Sequence, residues 1–357
     1  MSRPMMIPFG PQHPAFLEPM NLSLEITEEK VSSVKVNIGY NHRGMEYALA
    51  LDYKKTQYLV ERVCGICSFH HSSVYCQAME AIFGVEAPER AQIIRTIFME
   101  LQRLTSHLLA LGHISESAGY ESLFMRSFAV REHIMRLLNR LTGSRVHYSV
   151  NIIGGVRTDI SSEGVRDILS VIDEIRPEIK ALRDVFLNDV TLVHRLSGVG
   201  KLTIDEARDW CAVGPVARAS GIREDARLDG FAAYGKIAFH PIVREEGDAF
   251  ARTAVRAEEC IQSLDLIEQC LSIMKNGETA VAAKKLPAGS FYSRVEAPRG
   301  ELIYFLRSEE KKLSRLKIKT PASVNVPILA AIIKNSSLAD VPVIAASIDP
   351  CICCTDR

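Results

Sequence analysis

The chain has 357 residues, of which 47% are hydrophobic and 24% are charged, a composition that is ordinary for a globular protein. Its 43 basic and 43 acidic residues cancel, so the chain lacks the basic field that non-specific nucleic-acid binding requires, and we expect no nucleic-acid partner. The longest apolar runs, VPILAAII and VPVIAASI, are too short to cross a bilayer, and the start MSRPMMIPFGPQHP has no secretion-signal pattern, so any membrane attachment would come through other proteins.

The predicted elements follow one another without a repeat or a low-complexity linker. Alternation in KVSSVKVNIGY (residues 30–40) predicts a strand, and apolar residues at three- and four-residue intervals over residues 88–112 predict a buried helix. Helical patterns recur at residues 126–142, 162–188, 204–218 and 244–275. The segment LKIKTPASVNVPI (residues 316–328) again alternates like a strand. We therefore predict one domain over residues 1–357, α+β and mainly α, with a helical core and small β portions at the N- and C-terminal ends.

The predicted helix at residues 88–112 carries a second, polar face. Glu100, Arg103 and His107 share it at helical spacing. They could form a polar relay, but this pattern is more typical of a buried ion-paired face.

Nine cysteines occur in a chain without an export signal, so we interpret them as thiols or metal ligands. Cys64 and Cys67 form one CxxC pair in ERVCGICSFHH, and Cys351 and Cys354 form a second in DPCICC. Two such pairs can supply four thiolates to one metal, which would join the two ends of the chain. The alternative is two unrelated pairs of thiols, one buried as small hydrophobes and one incidental. Spacing alone leaves both interpretations open.

Two neighbouring features bear on the first pair. His71 follows Cys67 by four residues, where it could donate a hydrogen bond to a sulfur or a metal-bound group and so assist catalysis. Upstream, NHRGMEYAL places Arg43 and Glu46 at a predicted turn into a helix, a position where a charged pair usually forms only a solvated face.

These motifs carry a family resemblance over nearly the whole chain, from Gly10 to Arg357. RVCGIC and DPCICCTDR, together with HRGME, EAPRGEL and GPQHP, resemble the catalytic large subunit of the NiFe hydrogenases. GPQHP, NIIGGVR and VGPVARASGIREDARLDGFAAY are similar, more narrowly, to the membrane-bound energy-converting branch, which is related to the quinone-site subunit of respiratory complex I. That subunit has lost the two cysteine pairs, so their retention favours hydrogen chemistry over quinone reduction.

The resemblance implies a ligand set for a NiFe(CN)2CO centre. Cys64, Cys67, Cys351 and Cys354 would bind nickel, and Cys67 and Cys354 would also bridge to an iron that holds cyanide and carbon monoxide. Thiolates are suited to such soft metals. Cys353 matches no ligand position, and we predict that it serves in packing.

The resemblance also implies roles for residues around the metals. Arg299 in EAPRGEL would lie over the open side of the centre as a catalytic residue. Pro298 and Ala297 would form an apolar surface beside it that excludes water. Glu18 would accept the proton from a nickel-bound cysteine, although the local match is looser there and Glu25 is a rival.

A second metal is the least certain of these implications. In many relatives a terminal histidine and the glutamate of RGME support a magnesium ion. Here Arg357 stands in the place of that histidine, and a protonated arginine cannot bind a metal. A magnesium at Glu46 is therefore doubtful, and an ion pair between Arg357 and an acidic group is a fair substitute.

The leading hypothesis is thus a hydrogenase catalytic subunit that reversibly reduces protons with electrons from reduced ferredoxin, on the cytoplasmic face of the cell membrane. The implied partners are an iron–sulfur small subunit, a ferredoxin-like electron-transfer subunit and integral-membrane ion-translocating subunits. The start at GPQHP favours the ferredoxin-linked over the formate-linked type, and a carbon-monoxide-linked type stays open. The alternative from another class is a non-catalytic complex I-like connecting module whose four cysteines hold a structural zinc.

Overall fold

The computed structural model describes residues 3–50, 52–283, 286–310 and 312–357, in which long helices are flanked by small antiparallel sheets. The strands are β1 (Met5–Phe9), β2 (Asn21–Thr27), β3 (Lys30–Asn37), β4 (Asn151–Ile152), β5 (Gly155–Val156), β6 (Gly289–Ala297), β7 (Gly300–Glu309) and β8 (Lys312–Lys319). The helices of the first half are α1 (Met45–Leu49), α2 (Tyr53–Leu59), α3 (Ser68–Phe83), α4 (Glu89–Ser117), α5 (Glu121–Thr142) and α6 (Ser162–Asn188). Those of the second half are α7 (Val190–Leu196), α8 (Ile204–Asp209), α9 (Gly214–Arg218), α10 (Ala249–Ile273), α11 (Pro321–Asn325), α12 (Leu329–Ile332), α13 (Val341–Ile348) and α14 (Ile352–Thr355). The α+β, mainly α prediction is confirmed.

The central element is the 29-residue helix α4, which packs against α5, α10 and α13. Its apolar residues, among them Ile97, Leu104 and Leu108, lie in the largest hydrophobic cluster. Because neighbours cover it on several sides, its polar positions are buried as well. Such positions must find partners inside the protein.

The buried polar face of α4 is ion-paired, as predicted. Arg103 donates to both carboxylate oxygens of Glu100 at 3.2 Å, and His107 Nε2 lies 2.7 Å from Glu259 on α10. Burial alone would raise the pKa of Glu100, but the arginines around it, Arg103 and Arg227, lower it to about 2. The ion pair lies within α4, and the hydrogen bond between His107 and Glu259 joins α4 to α10.

Two three-stranded sheets position the ends of the chain. The first has the order β1-β2-β3 and the second the order β6-β7-β8, both antiparallel. The connection from β1 to β2 contains Glu18, and the β6–β7 turn contains Arg299. The C-terminal helices α11 to α14 follow the second sheet, so that α14 lies against α11.

The predicted strand at residues 316–328 is wrong in its second half. The strand β8 ends at Lys319, and the Thr320 side chain accepts a hydrogen bond from Ser323 N–H, which begins the helix α11. Pro321 occupies the first turn, where its missing N–H is not needed. This capping chemistry overrides the alternating pattern of the following residues.

The helix predicted at residues 204–218 is interrupted. The helix α8 ends at Asp209, and α9 begins only at Gly214. Between them, Cys211 has φ 54°, and Gly214 itself has φ 64°, so the chain leaves the right-handed helical region. A Cβ on Gly214 would also lie 2.4 Å from the carbonyl oxygen of Arg299, which explains why glycine occupies this contact.

In the described part of the chain, no helix combines the length and the apolar character that a bilayer crossing requires.

Candidate metal centre

The two CxxC pairs lie on tight turns that precede helices. A short 3-10 turn at Val60–Val63 leads into Cys64, and Cys67 is the N-cap of α3. In the second pair, Cys351 is the N-cap of α14 and Cys354 lies within that helix. In each pair the second cysteine thus lies three residues after the first, so both sulfurs can face one point.

The structure brings these two turns together. The sulfurs of Cys64 and Cys351 are 3.3 Å apart, and those of Cys67 and Cys354 are 3.5 Å apart. All four are free cysteines, and none is more than 3% exposed. Two unrelated thiol pairs would not be expected to converge in this way.

The charge state of this cluster favours a metal. The pKa of Cys64 is well below its usual value because the neighbouring thiols, Cys351 first, donate hydrogen bonds to its sulfur. The pKa of Cys354 is well above its usual value because its proton is shared with Cys351, Cys64 and Cys67 and because it is buried. Four thiolates in so small a buried space repel one another, and a soft cation is what would let all of them ionise.

His71 lies beside the cluster on α3. Its Nδ1 lies 2.7 Å from the hydroxyl of Tyr304, and its Nε2 lies 3.6 Å from Cys354 Sγ. Burial lowers the pKa of His71 to about 4, although the Cys64 thiolate opposes this. The ring is therefore neutral, and with Tyr304 donating to Nδ1, the Nε2–H points to the sulfur.

Arg299 is buried beside the cluster and is held by the turn that leads into the second cysteine pair. Its Nε donates to the Asp349 carbonyl at 2.9 Å, its Nη2 to Asp349 Oδ1 at 2.6 Å, and its Nη1 to Ser106 Oγ at 3.3 Å. Burial would lower the pKa of Arg299, but Asp349 and the cysteine thiolates raise it well above its usual value. Ala297 and Pro298 are also buried.

The structure places Glu18, rather than its rival Glu25, at the second cysteine turn. The carboxylate of Glu18 accepts hydrogen bonds from the backbone N–H of Ile352 at 2.5 Å and of Cys353 at 3.1 Å. Glu25 lies in β2, where it pairs in register with Met6.

Comparison with known proteins identifies the family. Residues 117–286 and 282–357 match the family described as "Respiratory-chain NADH dehydrogenase, 49 Kd subunit", and residues 43–116 match "Nickel-dependent hydrogenase". The chain belongs to the family that joins these hydrogenases and dehydrogenases.

Relatives within this family are similar over nearly the whole chain. The membrane-bound hydrogenase subunit alpha of Pyrococcus furiosus is 39% identical over 98% of this chain and 87% of its own length. The carbon monoxide-induced hydrogenase of Rhodospirillum rubrum is 36% identical over 98% of this chain and 99% of its own. Among solved structures, a chain of the membrane-bound sulfane sulfur reductase, an archaeal respiratory membrane complex, is 31% identical with a TM-score of 0.94, covering 99% of this chain and 98% of that one.

Family membership makes this chain an oxidoreductase-type subunit related to membrane complexes, and its cysteine cluster indicates metal binding. Because relatives named for different activities share the fold, the fold does not decide the reaction.

Cys353 packs against the hydrophobic cluster around the cysteine turns, as predicted, and also makes polar contacts. Its half-buried thiol donates to Glu18 Oε1 and lies 3.2 Å from Asn41 Nδ2. The family resemblance gives Cys353 no ligand position. It does not predict the contact with Glu18, because that carboxylate lies 335 positions away in the chain.

The carboxylate of Glu46 is surrounded by basic side chains. It lies 2.9 Å from Arg315, 3.3 Å from Lys317 and 3.9 Å from Arg357, and it accepts the Ile318 N–H at 3.0 Å. Burial would raise the pKa of Glu46, but the Ile318 N–H and the two cations of β8 lower it overall. A divalent cation does not fit among these positive groups. Within the described residues, every group of three close metal-capable side chains belongs to the cysteine and His71 cluster.

Sequence reasoning missed the roles of three residues around the cysteine cluster. Tyr304 orients His71, and Asp349 fixes Arg299. Arg43 joins the two cysteine turns, because its guanidinium donates to the carbonyls of Arg62, Val63 and Cys353. Only the position of Arg43 in the HRGME motif, close before the first cysteine pair, could have indicated its role.

Proposed function

We propose that the chain is the catalytic subunit of a membrane-bound energy-converting NiFe hydrogenase. It would reversibly reduce protons to H2 with electrons from reduced ferredoxin, coupled through partner subunits to ion translocation. The observation that carries this proposal is the convergence of four buried cysteine sulfurs beside a buried arginine.

The proposed ligands are Cys64, Cys67, Cys351 and Cys354, with Cys67 and Cys354 also facing the iron of a NiFe(CN)2CO centre. When bound, that centre would supply the redox chemistry and the place where hydrogen is made or split. The burial of all four sulfurs supports the proposal, because a dry site strengthens every electrostatic interaction in it.

The other residues of the site would act around the ligands. Neutral His71 donates to the Cys354 sulfur and fixes its orientation. Arg299 presents a permanent positive charge, held in place by Asp349, toward the cysteines. Glu18 would move the proton between the cysteine cluster and the outside, since its carboxylate lies against the second cysteine turn and borders an open cavity at residues 11–19.

The proposal extends to the setting of the subunit. It would lie peripherally on the cytoplasmic face of the membrane, as one domain bound to an iron–sulfur small subunit, a ferredoxin-like subunit and membrane subunits. The membrane-bound hydrogenase and the membrane-bound sulfane sulfur reductase among the relatives support this arrangement. The 36% identity to a carbon monoxide-induced hydrogenase keeps a carbon-monoxide-linked variant as a second candidate.

The test is infrared absorption of the purified complex in the region of metal-bound carbon monoxide and cyanide, with metal analysis and an assay of H2 evolution from reduced ferredoxin. We expect infrared bands, nickel and H2. Stoichiometric zinc without bands would instead support a structural module, and sulfane sulfur reduction without H2 evolution would assign the activity of the structural relative.

Variants of both cysteine turns sharpen this test. We expect Cys67→Ser and Cys354→Ser to lose nickel completely, because each removes a proposed ligand. Cys353→Ser is the matched control, since its hydroxyl can still donate to Glu18, and it should keep nickel. A Cys353→Ser protein without nickel would show that the ligand assignment is wrong.

A further inference from the structure

Two arginines of α10, Arg252 and Arg256, are fully buried, yet they bind no carboxylate. Arg252 donates to Ser347 Oγ at 3.0 Å and to the carbonyls of Gly247 and Gly200, both at 2.9 Å. Arg256 donates to carbonyl oxygens alone, at Arg252, Ser347 and Ile348. Among the residues that the structure describes, neither forms an ion pair with an acid. A buried charge without a partner of opposite sign is costly, so its position needs a reason.

The contacts of Arg256 lie where a helix end needs donors. The carbonyls of Ser347 and Ile348 belong to the last turn of α13, where backbone acceptors have no partner within the helix. A cation at a helix C-terminus also interacts favourably with the helix dipole. Arg256 thus fixes the end of α13 directly before the turn that leads to Cys351.

That turn is conformationally special. Asp349 adopts φ 57° and ψ 61°, the left-handed region that costs energy for a residue with a Cβ, and it closes α13 through a hydrogen bond from its N–H to Ala346 O. The same residue binds Arg299 through both its carbonyl and its carboxylate. The end of α13 therefore determines where Arg299 and the second cysteine pair lie.

The charges around this turn are unbalanced by the protein alone. Three buried guanidiniums, at residues 252, 256 and 299, face two buried carboxylates, Asp349 beside Arg256 and Arg299 and Asp248 beside Arg252, which leaves one positive charge. Glu259, further along α10, also attracts Arg256, but it is already bound by Arg218 and His107. Four thiolates around a divalent cation carry two negative charges, which the excess positive charge of the arginines offsets in part.

Both arginines stay charged at neutral pH. Burial lowers the pKa of Arg252 to about 9 and that of Arg256 to about 10, and in Arg256 the carboxylate of Asp349 opposes the fall. The excess positive charge of the arginines therefore persists at neutral pH.

We propose that Arg252 and Arg256 are positioning residues of the metal centre, which hold the end of α13 in register with the cysteines and offset part of the charge of the metal-bound thiolates. The proposal rests on the proposed function only in requiring that the four cysteines bind a metal.

The test uses the metal-free full chain and Co²⁺, whose visible absorption reports thiolate coordination. Arg256→Gln removes the charge, and Arg256→Lys keeps the charge but loses the planar fork. We expect Co²⁺ affinity to fall about tenfold to a hundredfold in Arg256→Gln and less in Arg256→Lys, with a shift of the absorption bands in both, since supporting partners of ligands typically have effects of this size.

Arg95→Lys is the matched control. Arg95 is also a buried arginine that binds backbone carbonyls, those of Ile152 and Gly155, but its carboxylate partner is Glu80, and it holds a turn that contains no cysteine. It should lose thermal stability as an Arg256 variant does, while its Co²⁺ affinity and bands remain those of the wild type.

Wild-type affinity and bands in Arg256→Gln would overturn the proposal. If that variant does not fold, Arg256→Lys decides for Arg256, and Ser347→Ala, which removes the side-chain acceptor of Arg252, decides for Arg252; an unchanged Co²⁺ spectrum and affinity refutes the positioning role of the arginine concerned. The infrared bands of the native complex give the independent check. Their absence in the wild type would defeat the hydrogenase assignment, while the Co²⁺ measurements would still test the positioning role of the arginines.

Discussion

Glu296 predicts an unusual pH dependence of folding. It lies at the floor of a cleft of about 360 Å³, is only 2% exposed, and accepts hydrogen bonds from Arg218 Nη1 at 2.7 Å and from Ala226 N–H at 3.1 Å. Burial and the neighbouring Asp225 raise the pKa of Glu296 to about 7, although Arg218 and Arg227 oppose them. The folded protein therefore binds this proton more tightly than the unfolded chain does.

The sign and size of the effect follow from that difference. Because the pKa is raised from 4.5 to about 7, stability is lost as the pH rises through this window, the opposite of an acid whose pKa is lowered on folding. The difference corresponds to roughly 3 kcal/mol in total, of which about 2 to 3 kcal/mol falls between about pH 5 and about pH 8.

The perturbation is Glu296→Gln, which cannot ionise. The amide keeps one acceptor oxygen, so it costs a hydrogen bond at every pH, and the informative quantity is the slope. We expect the free energy of unfolding, measured by urea titration of the full chain, to fall with pH by about 2 to 3 kcal/mol more in the wild type than in the variant.

The control and the refuting result are both specific. Glu301→Gln removes a carboxylate of the same cleft that lies at its rim, paired with Arg294 at 2.8 Å. If the wild type and Glu296→Gln change in parallel between the two pH values, the buried carboxyl does not bind its proton as argued.

Two further predictions concern catalysis. Arg299→Lys should retain nickel but lose most turnover, because an ammonium lacks the planar fork that binds the backbone carbonyl and Oδ1 of Asp349 together with Ser106. Full activity in this variant would make Arg299 a structural residue. Glu18→Gln should keep nickel and still interconvert para- and ortho-hydrogen, but nearly stop isotope exchange with water, whereas Glu25→Gln should be mild. Normal exchange in Glu18→Gln would mean that the proton leaves by another route.

The cysteine cluster was predictable because each ligand pair is a short local motif. The spacing of Cys64 to Cys67 and of Cys351 to Cys354 is visible in a single sequence, as is the position of His71 one helical turn later. The long helices were predictable for the same reason, since their periodicity extends over many residues. The single-domain organisation stays a prediction.

What the sequence could not reveal depends on contacts between distant segments. Arg252 and Arg256 are charged residues on a helix, and charged residues are normally exposed; only the packing of α10 against α13 makes them buried donors. Cys353 resembles a packing residue until Glu18 approaches it. The end of β8 was missed because the Thr320 and Pro321 cap outweighs the alternation of a few residues.

The meeting of Cys64 with Cys351 spans 287 positions of the chain. A shared metal would act there as a reversible cross-link that closes almost the entire polypeptide into one loop. By the entropy of loop closure, such a link restricts the unfolded chain by on the order of 5 kcal/mol. During synthesis the first pair of thiols is made long before the second, so both must stay reduced until the late turn arrives. Completion of the metal centre would then be the last step of folding. Loss of the metal would remove the link between the N-terminal and C-terminal cysteine turns.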